Sequence, residues 1–190
     1  MPILDQHAYL TPATVRLLHA VSKVPIRLLV ECKVYPARRN WLLFPWYTQR
    51  SGGGAIAVVD RIHASNRFFD RNSSDTAFLL LLAHEVGHLL HAEHYPASGL
   101  GRTRFVLWAT GHYARSFMRN GKQWHRGSRI EQEAERGRWV LRQLLATSGS
   151  AAVRVLLDHV HANNTVAVSD WLAQNATLIE RLHANYPGWH

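Results

Sequence analysis

The chain of 190 residues has a single cysteine, Cys32, and two methionines. One thiol excludes a disulfide framework and a zinc site built on several cysteines, and it fits a reducing compartment. Any metal must therefore be held by histidine and carboxylate side chains. No basic stretch followed by an apolar run opens the sequence, so no leader peptide is expected. The longest apolar run, Ala77 to Ala83, falls well short of the ~20 residues that span a bilayer. The expectation is a cytoplasmic chain with no transmembrane segment, although delivery by an injection machine would leave no mark of this kind. Repeats and low-complexity tracts are absent. Ser51-Gly52-Gly53-Gly54 lacks the Gly-Lys-Ser/Thr ending of a phosphate loop and precedes a strand rather than a helix. Acid is scarce, since 13 Asp and Glu face 22 Lys and Arg for a net charge of +9. That balance favours encounters with nucleic acid, anionic membrane or acidic protein without choosing among them.

What is present is enough for a core. Apolar residues make up 47% of the chain and include seven tryptophans, which fits one domain over 1–190. Thr11-Pro12 opens a helix to about Lys23, because proline suits the first helical position. Ile26 to Tyr35 reads as a strand stopped by Pro36, and Trp41 to Tyr47, broken by Pro45, as an edge strand or packed loop. After the glycine turn, Ala55 to Asp60 reads as another strand. Ser73 or Ser74 caps a helix that runs through Phe78-Leu79-Leu80-Leu81-Leu82 to about Glu93, apolar all round at its start and so expected to be buried. Further helices are expected from Ser128 to about Thr147, from Ala151 to Ala162, and from Asp170 to Tyr186 behind a Ser169 cap. The fold class is α+β: a small, mostly antiparallel or mixed sheet packed on a central helix, with a helical C-terminal half. Sheet and central helix take about 1–95, a basic insert 95–128, and the remaining helices 128–190.

That central helix carries His84-Glu85-Val86-Gly87-His88. Residues four apart share a helix face, so His84 and His88 can direct ring nitrogens at one ion. Glu85, about 100° round the helix, can flank the ion without binding it and accept a proton from water. Gly87 admits a close neighbour and Val86 packs inward. Two unpaired histidines on a buried helix would be costly, which favours a shared Zn2+ over coincidence.

A hydrolytic zinc needs a third protein ligand and an open position. His94 has the spacing of a metzincin's third histidine, but His91 stands where that pattern needs glycine for a sharp turn. The other source is Ile130-Glu131-Gln132-Glu133-Ala134-Glu135. HEVGHLLH followed by IEQEAE and Leu144-Leu145 resembles the gluzincin-type zinc metallopeptidases, most closely the ImmA/IrrE-like group that cleaves repressors. The resemblance covers about Thr76 to Glu93 and Ser128 to Leu145. It implies a zincin-like fold, Glu131 as third ligand, and Glu135, where the family has Asp or Asn, as the residue orienting a ligand histidine. Glu133 should point to solvent. A second reading makes Glu131 half of a capping box with Ser128, which would leave Glu135 as the ligand. Glu131 is preferred to Glu135, and either to His94. Ala134 and Gly137 should let this helix press against the first.

The function expected on these grounds is a zinc-dependent endopeptidase acting on one or a few protein or peptide substrates, in a regulatory or toxin-like role. Glu85 is its general base, and Tyr113, His112 and Tyr95 are candidate donors to the reacting oxygen, Tyr113 foremost. Between His94 and Ile130 there is no acidic residue, while Arg102, Arg104, Arg115, Arg119, Lys122, Arg126 and Arg129 are interleaved with Phe105, Trp108, Tyr113, Phe117 and Trp124. This segment is either a wall for an acidic partner, anionic lipid or nucleic acid, or a solvated basic face over a Trp108/Phe117 core; no nucleic-acid-binding motif accompanies it. The competing readings are a basic binding module with a structural zinc and an inactive pseudo-peptidase. The intact Glu85 argues against the first, because a structural site needs no base.

Overall fold

The structure is a computed structural model, and it describes residues 3–36, 54–70, 74–123 and 127–188, without the side chain of Lys122. Helix α1 (Pro12–Ser22) starts at the Thr11-Pro12 signal and buries Leu17, Leu18 and Val21. A short helix α2 (Ile26–Val30) and strand β1 (Lys33–Pro36) follow. These replace the single strand expected over Ile26 to Tyr35. Of the α2 side chains only Leu29 is buried, so one helical turn suffices to place it. Pairing begins where Lys33 meets Arg61. Tertiary contact here overrides the β propensity of Ile26 and Val30.

Strands β2 (Ala55–Val58) and β3 (Arg61–Ala64) form an antiparallel hairpin, and β1 lies parallel to β3, giving a mixed sheet in the order β1-β3-β2. The strand expected over Ala55 to Asp60 ends two residues early at the turn. Val59 takes φ 56° there, a conformation rare for a β-branched residue, so no Asn-Gly or Asp-Gly pair announced the hairpin. The segment Trp41 to Tyr47, the glycines before Gly54, and Ser73 lie outside the described residues.

The central rod is α3 (Asp75–Glu85), one 3₁₀ turn over Val86–His88, and α4 (Leu89–Ala92). Ser74 Oγ accepts a hydrogen bond from the Ala77 amide at 3.4 Å, and Asp75 sits favourably in the first turn. Phe78, Leu79, Leu82, Ala83 and Val86 are buried, as an all-apolar helix start requires. Helix α5 (Gly99–Asn120) then fills most of the basic connector. Its glycines and threonines hide it from propensity, yet Ser98 Oγ caps it by accepting from the Gly101 amide at 3.1 Å.

Helix α6 (Arg129–His161) is kinked at Gly149, whose φ of 75° and ψ of 159° leave the helical region. Only glycine adopts that conformation readily, and the two arms match the two helices expected on either side of it. The helix passes a length and composition test for a membrane span, but the kink divides it and its first arm buries Glu131 and Glu135 in the fold. Helices α7 (Thr165–Gln174) and α8 (Ala176–Ala184) complete the chain. They correct the single helix expected from Asp170 to Tyr186: the cap is Asn164, which accepts from the Ala167 amide at 3.1 Å, and not Ser169.

One apolar core joins α1, the sheet, α3, α6, α7 and α8, from Ile3 to Ile179. The architecture is α+β with a helical C-terminal half, as expected. The contact that places the site is α3 and its 3₁₀ turn against α6. A Cβ added to Gly87 would lie 2.6 Å from Ala134 Cα, and one added to Gly137 2.4 Å from the Ala83 carbonyl oxygen. Neither neighbour is a yielding side-chain tip, so these two glycines set the helix separation. Gly87→Ala is expected to destabilise the fold by about 1–3 kcal/mol through overpacking. It should also weaken metal binding by pushing α6 outward, both readable by urea unfolding and zinc titration.

A satellite cluster of Val58, Val59, Ala92 and Phe105 sits beneath α5, with Tyr95 and Trp108 against it. Phe117, grouped with Trp108 as core in one reading of the connector, is instead 57% exposed. Arg102 of α5 pins the hairpin turn by donating from Nε and Nη2 to the two carboxylate oxygens of Asp60, each at 2.8 Å. Burial pushes the Asp60 carboxyl up, but the Arg102 hydrogen bonds outweigh it and leave the group below its ordinary value. A carboxylate depressed on folding stabilises above its unfolded pKa and loses that contribution as the pH falls through the folded pKa. Asp60→Asn is therefore expected to lower stability by about 1 kcal/mol at neutral pH. In urea melts compared across pH, the difference from wild type should shrink once the pH drops below the ordinary aspartate range.

Candidate metal centre

His84 lies in the last turn of α3 and His88 ends the 3₁₀ turn one helical turn later, so both rings lie on the face that meets α6. Their centroids are 5.1 Å apart. Glu131, in the first turn of α6, reaches between them: His84 Nε2 is 3.3 Å from Glu131 Oε2 and His88 Nε2 is 3.6 Å from Glu131 Oε1. All three residues are buried, and one donor atom from each lies within 4.8 Å of the others. This group can hold a metal ion. Ser128 makes no side-chain cap hydrogen bond, and the Glu131 carboxylate faces the two histidines.

Glu135 occupies the other side of His84. The His84 Nδ1–H donates to Glu135 Oε2 at 3.1 Å. That bond fixes the ring orientation and leaves the Nε2 lone pair for an ion. Arg138, one turn further on, pairs with the same carboxylate oxygen. Burial pushes the Glu135 carboxyl up, but the hydrogen bonds from His84 and Arg138 leave it below its ordinary value, an acceptor for the imidazole. Arg138 was missed in the sequence. Its spacing of three residues from Glu135 on a helix was the available signal.

Burial lowers the His84 pKa, but hydrogen bonding to Glu131 and Glu135 outweighs that and raises it to about 9. Glu85 is 5% exposed. Burial raises its carboxyl to about 7, offset in part by His84 and by the Ala57 backbone amide of β2, which donates to it. Glu85 thus lies between the histidine helix and the neighbouring strand, its carboxyl held above the ordinary carboxylate range.

The other sequence candidates fall as follows. His94 is exposed beyond α4 and is not in the ligand group, because the rod continues helically past His91 without the turn a metzincin needs. Glu133 is half-exposed and paired with Arg129 at 2.6 Å and His91 at 3.3 Å. It lies off the ligand face but is ion-paired rather than merely solvated. Tyr113 of α5 donates its hydroxyl hydrogen to Glu131 Oε1, placing a phenol at the edge of the centre. His112 is exposed and packs on Trp108 at 4.4 Å between centroids, and Tyr95 packs edge-on to Phe105. Neither is brought to the ligands by a contact seen here. Arg126 and Trp124 lie outside the described residues.

No protein-family model, curated protein or solved structure matches the chain.

Proposed function

We propose that the chain is a zinc-dependent peptidase of zincin-like fold that hydrolyses peptide bonds in one or a few protein substrates. The observation that carries this reading is the convergence of buried His84, His88 and Glu131 with a buried carboxyl, Glu85, raised to about 7 beside them. One donor atom from each of His84, His88 and Glu131 lies within 4.8 Å of the others, near enough for a single ion to be held by all three. Two imidazoles and a carboxylate are also a donor set that zinc favours. Among the described residues the group offers three such ligands, which fits a hydrolytic site with a position left for water or substrate better than a closed structural one.

A zinc ion bound here supplies Lewis acidity, polarising a peptide carbonyl and acidifying water. The protein side chains do the rest. Glu85 would accept the proton of the attacking water and return it to the departing amide nitrogen. Glu135, held by Arg138, keeps the His84 ring aimed at the ion. Tyr113, whose hydroxyl hydrogen goes to Glu131 Oε1, steadies that carboxylate between the two histidines.

Chelation is the direct test. Removing zinc should abolish cleavage of a denatured protein substrate, and stoichiometric zinc should restore it, with the far-UV dichroism of the chain little changed. Unfolding on chelation, with no peptidase activity in the zinc-loaded chain, would favour the structural-zinc module instead.

A further inference from the structure

We propose that the outward face of α5 is a docking surface for an anionic lipid bilayer, independent of any peptidase activity. Leu100, Leu107, Ala114 and Met118 recur at helical spacing along α5 and form one stripe. The stripe points away from the fold: Leu100 is 71% exposed, Leu107 67% and Met118 78%. Solvent-facing stripes on soluble helices are ordinarily polar. The inward side carries Gly101, Phe105 and Ser116, the buried residues of this helix, so the apolar stripe is not the face that holds α5 to the protein.

The charge beside the stripe selects its occupant. Arg104, Arg115 and Arg119 are exposed along one flank, and no Asp or Glu occurs anywhere between His94 and Ile130. A second copy would bring like-charged arginine rows together against a narrow apolar contact, which disfavours self-association. A bilayer surface asks for what is present: a straight helix about 27 Å along the stripe, long apolar side chains that enter the headgroup boundary, and arginines whose stems lie flat while their guanidinium groups meet lipid phosphate. Tyr113 lies on the inner side of the same helix, so the metal centre would stay uncovered on a docked molecule.

Flotation of the full chain with phosphatidylcholine vesicles, with or without about a third phosphatidylserine, tests this. Binding is expected only to the anionic vesicles and should weaken as salt is raised. The R104Q/R115Q/R119Q variant should partition roughly a hundredfold less, at about a factor of five per arginine. L107Q/M118Q should lose roughly tenfold through its missing apolar insertion. All five side chains are exposed, so unchanged thermal melts are expected. Should L107Q/M118Q fail to fold, M118Q alone, at a side chain 78% exposed, keeps the comparison and should still bind less than wild type. The proposal is overturned if the wild type ignores anionic vesicles. It is overturned equally if L107Q/M118Q binds as well as wild type, which would mean diffuse attraction of a basic protein. Sedimentation showing a dimer that L107Q/M118Q dissociates would assign the stripe to a second copy.

Discussion

Glu85→Gln is expected to retain zinc and fold but lose peptide hydrolysis by about 10²–10⁴-fold in kcat, the usual worth of a positioned general base. The substitution keeps the shape of the side chain and a carbonyl oxygen that can still accept from the Ala57 amide. It removes the capacity to take and return a proton. Glu85 is buried beside the ligands without being one of them, so metal content by elemental analysis should remain one ion per chain. A kcat that falls while zinc is retained separates the base from a structural role. Full activity in this variant would mean that the proton goes elsewhere.

The second large effect concerns the third ligand. Glu131→Gln is expected to weaken zinc binding by at least a hundredfold, because it removes one of three charged or imidazole donors. Glu135→Gln is expected to cost about 10–100-fold, the range for a group that orients a ligand from behind. The order follows from geometry: Glu131 lies 3.3 Å from the His84 Nε2 that faces the ion site, whereas Glu135 lies 3.1 Å from Nδ1 on the far side of the ring. Competition titration with a chromogenic chelator reads both affinities. If Glu135→Gln proved the more damaging, the assignment of ligand and orienting residue would have to be exchanged.

The site was largely legible in the sequence, because its information is local. Two histidines four apart, a glycine between them and a carboxylate one turn into a second helix are spacings that helix geometry converts into a face. The small residues Ala134 and Gly137 foretold where the second helix meets the first, and Gly87 that a neighbour comes close there. Sequence preferred Glu131 as ligand but left its use as a cap open, since both uses put the residue at the same helical position. Arg138 escaped notice because a surface ion pair at that spacing is commonplace until its partner is seen bonded to a ligand histidine. The fold was less legible where long-range contact decides. The hairpin turn rests on Val59 at positive φ, against propensity. The start of α2 is helical although Ile26 and Val30 favour strands. Helix α5 was concealed because an exposed apolar stripe with scattered glycines has the periodicity of neither a core helix nor a soluble one.

Identification of cleaved termini bears most directly on the central claim. The zinc-loaded wild type and zinc-loaded Glu85→Gln would each be incubated with a complex protein extract, and new N-termini compared. The account predicts a small set of termini that depends on wild type, disappears with Glu85→Gln and disappears again when wild type is stripped of metal. Identical sets from the two proteins, with zinc bound in both, would contradict it.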